Sequence, residues 1–515
     1  MAFLNTTSNM LAALAAAAKY NGPLELYILN LVYEWINSEK RAAMLTGERY
    51  YRNRNDILNR RRTMIGEGGK PVAVDNLPNN RVAHPFARTL NDQKTSYLFA
   101  KPFTIATGND AYKQTLTEIF DDILHGAINN LGREAINKGI AWLHPYYDET
   151  GALKFRVIPS EEIIPLWSDS AHTKFDAVIR TYNVENFINQ RKIEVTKVEW
   201  WDGDGVRRYM VGDGSLPSAM AASGRTLTPD FEAGYISSHF TAVVESQEVP
   251  MNWARLPFIP FKYNPDEQPL IRNVKNSIDS YDTAVSDFVN QMQEDSGSSI
   301  LVVKNYGGQD MGEFRRNLST FRAVNVLDNG GLEALTTQVA AANFTALELM
   351  LRKNIFKHGR GVDTEGDRIG SNPSGVSLKF IYSDLDLDCN MLETQFQIGL
   401  DSLMWFINTD LANRGAGDFG GEEVEFTFTR DIIINESEKI TSAQTSLGII
   451  SEETVVANHP WVTNPLEELK RMKREREEKM SEAMNGTVPY PDAHGGDNEN
   501  DGEDTPVTGD GNEKL

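Results

Sequence analysis

The stretch SIDSYDTAVSDFVNQMQED, Ser277 to Asp295, answered by NFTALELMLRKNIFKHGRGV, Asn343 to Val362, decides the architecture. In the first segment Ile278, Tyr281, Val285, Phe288 and Met292 recur at spacings of 3, 4, 3 and 4, which sets them on one stripe of a helix. Asp279, Asp282, Ser286, Asp287, Asn290, Gln293 and Glu294 cover the rest, so the packing seam is narrow. Roughly twenty such residues extend ~30 Å, enough to leave a globular body while neighbours still hold the helix. In the second segment Phe344, Leu347, Leu351 and Ile355 form the stripe, Arg352, Lys353 and Lys357 lie outside it, and Gly359 and Gly361 end the helix. Between the two, Ile300 to Val303 reads as a short apolar strand with a turn at Gly307 and Gly308. A second apolar run, Ala323 to Leu327, closes on the turn Asp328-Asn329-Gly330-Gly331.

Beyond the return helix the loop GRGVDTEGDRIGSNPSG, Gly359 to Gly375, carries five glycines and a proline before a third long helix. It can continue neither flanking helix and is expected to be mobile. Its charged residues Arg360, Asp363, Glu365, Asp367 and Arg368 sum to −1. Read without context, a surface linker is the lesser alternative.

With 515 residues, 40% hydrophobic and 24% charged, the chain can bury a substantial core in two to four domains. One cysteine, Cys389, excludes an intramolecular disulfide and fits a reducing cytoplasm. The run MLAALAAAA from Met10 is too short to span a bilayer and lacks a basic leader, so it reads as an alanine-rich helix, and no membrane segment is expected. Net charge is −22, the reverse of a conventional DNA-binding domain. Two readings stay open: the acidity keeps the chain soluble, or it leaves a duplex free to slide past a wall that does not grip phosphate.

Residues 1 to 50 read as helical, with an apolar periodic stretch at Leu24 to Trp35. RYYRNRNDILNRRRTM, Arg49 to Met64, is the most basic segment and reads as a solvated helix or subunit contact, with nucleic-acid binding as the alternative. From about 85 to 145 the pattern is helical, broken at Pro102. LKFRVIP, DAVIRTY, RKIEVTKVEWW and VRRYMV, between Leu153 and Val211, are β-prone, and Asp202-Gly203-Asp204-Gly205 joins the last two as a hairpin. Ser215 to Ala233 reads as a loop, Phe240 to Val249 as β, and EVEFTFT as a strand after the loop Arg414 to Gly421. Glu436 to Met484 is helical, with Glu467 and Arg471, and Glu475 and Lys479, at ion-pair spacing. The tail after Gly486 has eight acidic side chains against one lysine and cannot repay the entropy of ordering.

Catalytic signatures are missing from the sequence. A phosphate loop needs glycines closing on Lys and then Ser or Thr, whereas Gly66-Glu67-Gly68-Gly69-Lys70-Pro71 has the wrong spacing and ends in proline, so it is a turn. Asp384, Asp386 and Asp388 would align as cation ligands on a strand, but the surrounding pattern is a helix, on which Asp386 faces away from the other two. Asp202 and Asp204 fit turn chemistry. There is no His-Glu-x-x-His pair and no Gly-x-Ser-x-Gly elbow, so no catalytic, cofactor or metal site is expected.

The helix from Ser277, ILVVKNYGG from Ile300, LRKNIFKHGRGVD with SNPSGVSLKFIYSDLDLDCN over Leu351 to Asn390, NNRVAHPFARTLNDQKTSYLFAKPFTI from Asn79, TFTRDIIINESE from Thr427 and SEETVVANHPWVTNPLEELKRMK from Ser451 together resemble the SPP1-type family of tailed-phage portal proteins. The resemblance spans most of residues 45 to 480 and implies a multidomain α+β portal fold. The expected order is an N-terminal helical segment (1–50), a wing (51–273), a stem helix (274–297), a clip (298–339), a returning stem helix (340–360), a tunnel loop (361–375), a long helix with the rest of the wing (376–435), a helical crown (436–485) and a disordered acidic tail (486–515). It implies a ring of about twelve copies with cyclic symmetry at a capsid vertex, assembled in the bacterial cytoplasm, through which double-stranded DNA passes. Implied partners are the large subunit of the terminase motor, the head-tail adaptor, and the major capsid and scaffolding proteins.

By the same resemblance, Arg360, Asp363, Glu365, Asp367 and Arg368 would line the tunnel. Lys353 and Lys357 would touch phosphate from the stem wall, and Lys304, Arg315 and Arg316 would meet a partner at the clip. A head-tail adaptor ring would not need a two-helix stem. A packaging nuclease or ATPase would need a carboxylate-metal or phosphate-loop site that the sequence does not present.

Overall fold

The computed structural model describes residues 24–65, 69–73, 77–188, 191–211, 227–244, 247–295, 300–304, 310, 312, 329, 331–335, 341–365, 375–430, 436–457, 459, 461–462 and 465–485. Two compact units divide at residues 433 and 434. The first, which is large, mixes helices with antiparallel sheets.

Its first core forms where helix Leu24–Ile36 meets the face of a six-stranded sheet. Ile28, Val32 and Trp35 pack with Trp142, Val178, Trp200, Trp201 and Tyr209, all buried. Strands Ile163–Trp167, Phe175–Ile188, Arg191–Asp202, Gly205–Val211 and Leu227–Pro229 follow one another as antiparallel neighbours, and Ile236–Ser237 also pairs with Gly205–Val211. Asp202 and Gly205 close the hairpin in register. Asp202 does more than turn the chain, accepting from the Trp200 indole at 2.7 Å and from Arg207 at 2.9 Å. Leu227–Pro229, inside the segment expected as a loop, is a short edge strand.

The larger core gathers helices Phe86–Phe99, Asp110–Ile119 and Asp122–Lys138, the sheet Ile259–Lys262, Ile140–Tyr147 and Leu153–Ile158, and three long helices. The helical reading of 85 to 145 needs correction at two strands. Ile140–Tyr147 is the central strand of that sheet, and Thr104–Thr107 pairs with Val424–Thr427 across more than three hundred residues. Local periodicity carries no trace of so distant a partner. Strands Thr63–Ile65 and Pro71–Ala73 pair antiparallel, and Gly66 to Gly68, where a turn is expected, lie outside the described residues.

The outgoing helix runs Ile271–Asp295 and the return helix Ala341–His358. They meet along the predicted stripes: Phe288 stacks on Phe344 with centroids 3.8 Å apart, and Tyr281 donates to Glu348 at 2.8 Å. Each stripe fails at one position, for Met292 and Leu347 are exposed. Between the helices Ile300–Lys304 pairs with Gly331–Leu335. That partner lies beyond the run Ala323 to Leu327, which falls outside the described residues.

The polar side of the outgoing helix also needs correction. Asp282, Ser286 and Asn290, expected outside the seam, are buried. They accept from the backbone N–H groups of His84 (3.0 Å), Val82 (3.0 Å) and Asn80 (2.7 Å). Spaced four apart, they form a ladder for an extended segment that has no strand partner, which satisfies donors that burial would otherwise strand. The third long helix, Gly375–Asn413, buries Leu392, Phe396, Leu400 and Leu403.

The second unit contains helices Glu436–Ser446, Glu452–Ala457 and Pro465–Asn485. Arg476 pairs with Glu452 across the last two, and Arg471 pairs with Glu468. The alanine-rich start and the acidic tail lie outside the described residues. No described helix is long and apolar enough to cross a membrane.

Candidate functional site

The return helix ends in a left-handed cap. Arg360 takes φ 49°, its N–H bonds to the Lys357 carbonyl at 3.3 Å, and the Gly361 N–H reaches back to the Phe356 carbonyl at 2.9 Å. The left-handed residue is thus an arginine, and the glycines beside it are needed for another reason. A Cβ on Gly359 or Gly361 would stand 2.5 or 2.3 Å from the Leu90 methyl groups.

This close approach lets helix Phe86–Phe99 clamp the start of the loop. The Gln93 amide pairs with both backbone groups of Val362, at 2.7 and 3.0 Å. Lys94, wholly buried, donates to the Arg360 carbonyl at 3.0 Å and to Asp388 of the long helix at 2.7 Å. Tyr263 donates to the same Asp388 oxygen at 2.5 Å, and Arg360 approaches the other at 3.4 Å. Burial, reinforced by the Asp388 charge, pushes the Tyr263 phenol far above its ordinary range, so it remains a donor. A buried lysine is costly unless a carboxylate and hydrogen bonds compensate it, and here both are present. Cys389 beside this node has its thiol pushed up to about 12 by burial, which makes it an inert packing group.

Asp363 and Glu365 are held from the other side. Arg352 grips Asp363 through two bonds, 3.0 and 2.7 Å, and Glu365 at 2.5 Å. Arg360, Asp363 and Glu365 therefore belong to a bonded segment, and the expected mobility is corrected for residues 359 to 365. Asp367 and Arg368 lie outside the described residues.

Lys353 and Lys357 project from the exposed side of the return helix one turn apart, without a described carboxylate partner. Lys304 is on a strand facing Gly331 in register, while Arg315 and Arg316 lie outside the described residues. The three aspartates lie on a helix as expected, but they part differently from the expectation that Asp386 alone faces away: Asp384 is exposed, Asp386 binds Tyr97 and Arg430, and Asp388 enters the lysine node, so that Asp386 and Asp388 both bond to helix Phe86–Phe99. Among the described residues no cluster could hold a metal ion.

Sequence reasoning missed Gln93, Lys94 and Arg352. The only local hint was an unexplained acidic residue, Asp388, at an inward position of a helix. Chemically, the constellation fixes the starting point and charge of a loop and presents no paired nucleophile and base.

The family model described as "Phage portal protein, SPP1 Gp6-like" matches residues 32–482. The portal protein of Bacillus phage SPP1 is 30% identical over 482 residues, covering 93% of this chain and 92% of the relative. The portal protein of Clostridium phage phiCD119 is 28% identical over 442 residues, covering 83% and 91%. Among solved structures, a chain of one described as "Neck of native GTA particle computed with C12 symmetry" aligns with TM-score 0.38 and 10% identity, over 73% of this chain and 90% of that one.

Proposed function

The chain belongs to the SPP1-type family of phage portal proteins, and from that membership we propose that it forms a ring of about twelve copies at one capsid vertex. It is a portal protein, a structural component of the virion that serves genome packaging. In the finer reading, the ring docks the large terminase subunit during packaging and the head-tail adaptor afterwards. Capsid and scaffolding proteins surround it during assembly. Helices Ile271–Asp295 and Ala341–His358 would be the stem, the hairpin between them the clip, and the segment after Val362 the tunnel loop.

One observation carries the ring. On the helix Gly375–Asn413, Phe380, Leu387 and Ile398 are 76%, 62% and 55% exposed. Their spacings of 7 and 11 residues are close to two and three turns, so they fall on one line. An apolar line of that length on a helix otherwise docked in a core is what a neighbouring copy would cover. Leu349 and Met350 on the return helix are left similarly open.

Replacing Phe380, Leu387 and Ile398 together by aspartate should leave each chain folded, because none of the three is in its core, and should abolish rings. Native mass measurement with negative-stain images reads the outcome. Rings that persist undiminished would show that the stripe is not a subunit contact.

A further inference from the structure

In a chain of net charge −22, residues 49 to 62 hold six arginines and one aspartate. The structure shows which of these charges are spent internally. Arg49 pairs with Asp56, Arg52 with Glu48, and Arg60 with Asp287. Arg54 and Arg61 are exposed and reach no described carboxylate, and Arg81 is exposed with its guanidinium on a backbone carbonyl.

These residues sit on a built surface. Residues 53–62 and 78–84 run antiparallel, laced by side chains instead of by a sheet ladder. Asn55 donates to the His84 carbonyl (3.1 Å), Arg81 to that of Leu58 (2.7 Å) and Arg62 to that of Pro78 (2.7 Å). The second strip is tied in turn to Asp282, Ser286, Asn290 and Gln293 of the outgoing helix. Asp282 to Gln293 spans about 16 Å of helix axis. The cations are therefore arrayed along a belt that is rigid before any ligand arrives.

We propose that this belt binds the phosphodiester backbone of double-stranded DNA without reading sequence, at a place distinct from the loop and stem lysines. A guanidinium held by one carbonyl bond keeps donors free in a fixed plane, suited to phosphate oxygens. A folded acidic protein is the poorer fit, because stable protein interfaces centre on apolar and aromatic anchors. The belt offers only a half-exposed Leu58, while Tyr50 is buried on Asp279 and Tyr51 is bound to Asp92. The identity of the polymer rests on the portal reading, whereas the geometry does not.

The test is fluorescence anisotropy of a labelled 30-base-pair duplex of arbitrary sequence with the full-length protein, between 50 and 200 mM salt. Arg54→Glu with Arg61→Glu is the main variant, since neither side chain takes part in the lacing. Arg81→Ala is the second, and poly-glutamate is the competitor. Affinity at 50 mM salt should fall at least tenfold in the double variant. The slope of log affinity against log salt should drop by about 2, as expected for two lost phosphate contacts. Native mass should show rings in both variants, so that loss of DNA binding is separable from loss of the portal assembly. Unchanged affinity and slope in the double variant, no binding by the parent, or tighter binding of poly-glutamate than of the duplex would each overturn the proposal.

Discussion

Glu267 stands at φ 55° with its carboxylate buried, and accepts from Lys40, from Lys262 at 3.1 Å and from His172 Nδ1 at 2.7 Å. Burial alone would raise its pKa, but Lys40, His172 and Lys262 outweigh burial and hold it at about 2. A carboxyl depressed on folding stabilises fully above its unfolded value of 4.5, and the contribution is lost as pH falls toward 2. At roughly 1.4 kcal/mol per pH unit, the charge contributes about 3 kcal/mol near neutrality. Glu267→Gln should therefore cost about 3 kcal/mol in urea unfolding at pH 7, and less than half of that at pH 3. An equal cost at both pH values would show that packing, not charge, sets the effect. His144 acts in the same direction over a higher range: burial holds its imidazole at about 3, so stability also declines as pH falls below 6.5. None of this was legible in the sequence around Asn264 to Gln268, because Lys40 lies 227 residues away.

At the scale of elements, the apolar stripes of the outgoing and return helices were legible because burial against a single neighbour leaves a 3.6-residue period in the sequence. The same reasoning put Asp282, Ser286 and Asn290 outside, because periodicity counts every polar residue as solvated. A signal was nevertheless present: three short hydrogen-bonding side chains at i, i+4 and i+8 make a row able to serve an extended strand. Asp282 receives the His84 N–H, His84 Nδ1 at 2.7 Å and the Asn55 amide at 2.6 Å. Asp282→Ala leaves those donors in a dry site and should cost at least about 3 kcal/mol. It should also speed amide exchange at His84 and Val82 ahead of the helix core. Asp282→Asn, which keeps an acceptor, should cost less. Stability within about 0.5 kcal/mol of the parent in the alanine variant would mean that water replaces the carboxylate and that the ladder does not hold the segment.

For the whole molecule, the α+β mixture, the two long helices and the strand that follows the first of them were legible in local pattern, while the partner strand Gly331–Leu335, the pairing of Thr104–Thr107 with Val424–Thr427 and the clamp at Gln93 and Lys94 were not, since each joins residues far apart in sequence. The clamp changes how charge at the loop should be tested. Asp363 is held by two bonds from Arg352, so replacing it would loosen the anchor as well as alter the field. Glu365 is 74% exposed, and its loss leaves the Asp363 pair in place. Glu365→Lys shifts the loop by +2 in each subunit, and about twelve copies would place that change on one ring. If the loop lines the tunnel, phosphate should then adhere where the parent lets it slide. The expected outcome is normal rings, slowed packaging at low salt in a reconstituted reaction, and recovery as salt screens the added charge. Packaging by Glu365→Lys rings at the parental rate in low salt would place Glu365 away from the DNA path, whatever the rest of the loop does.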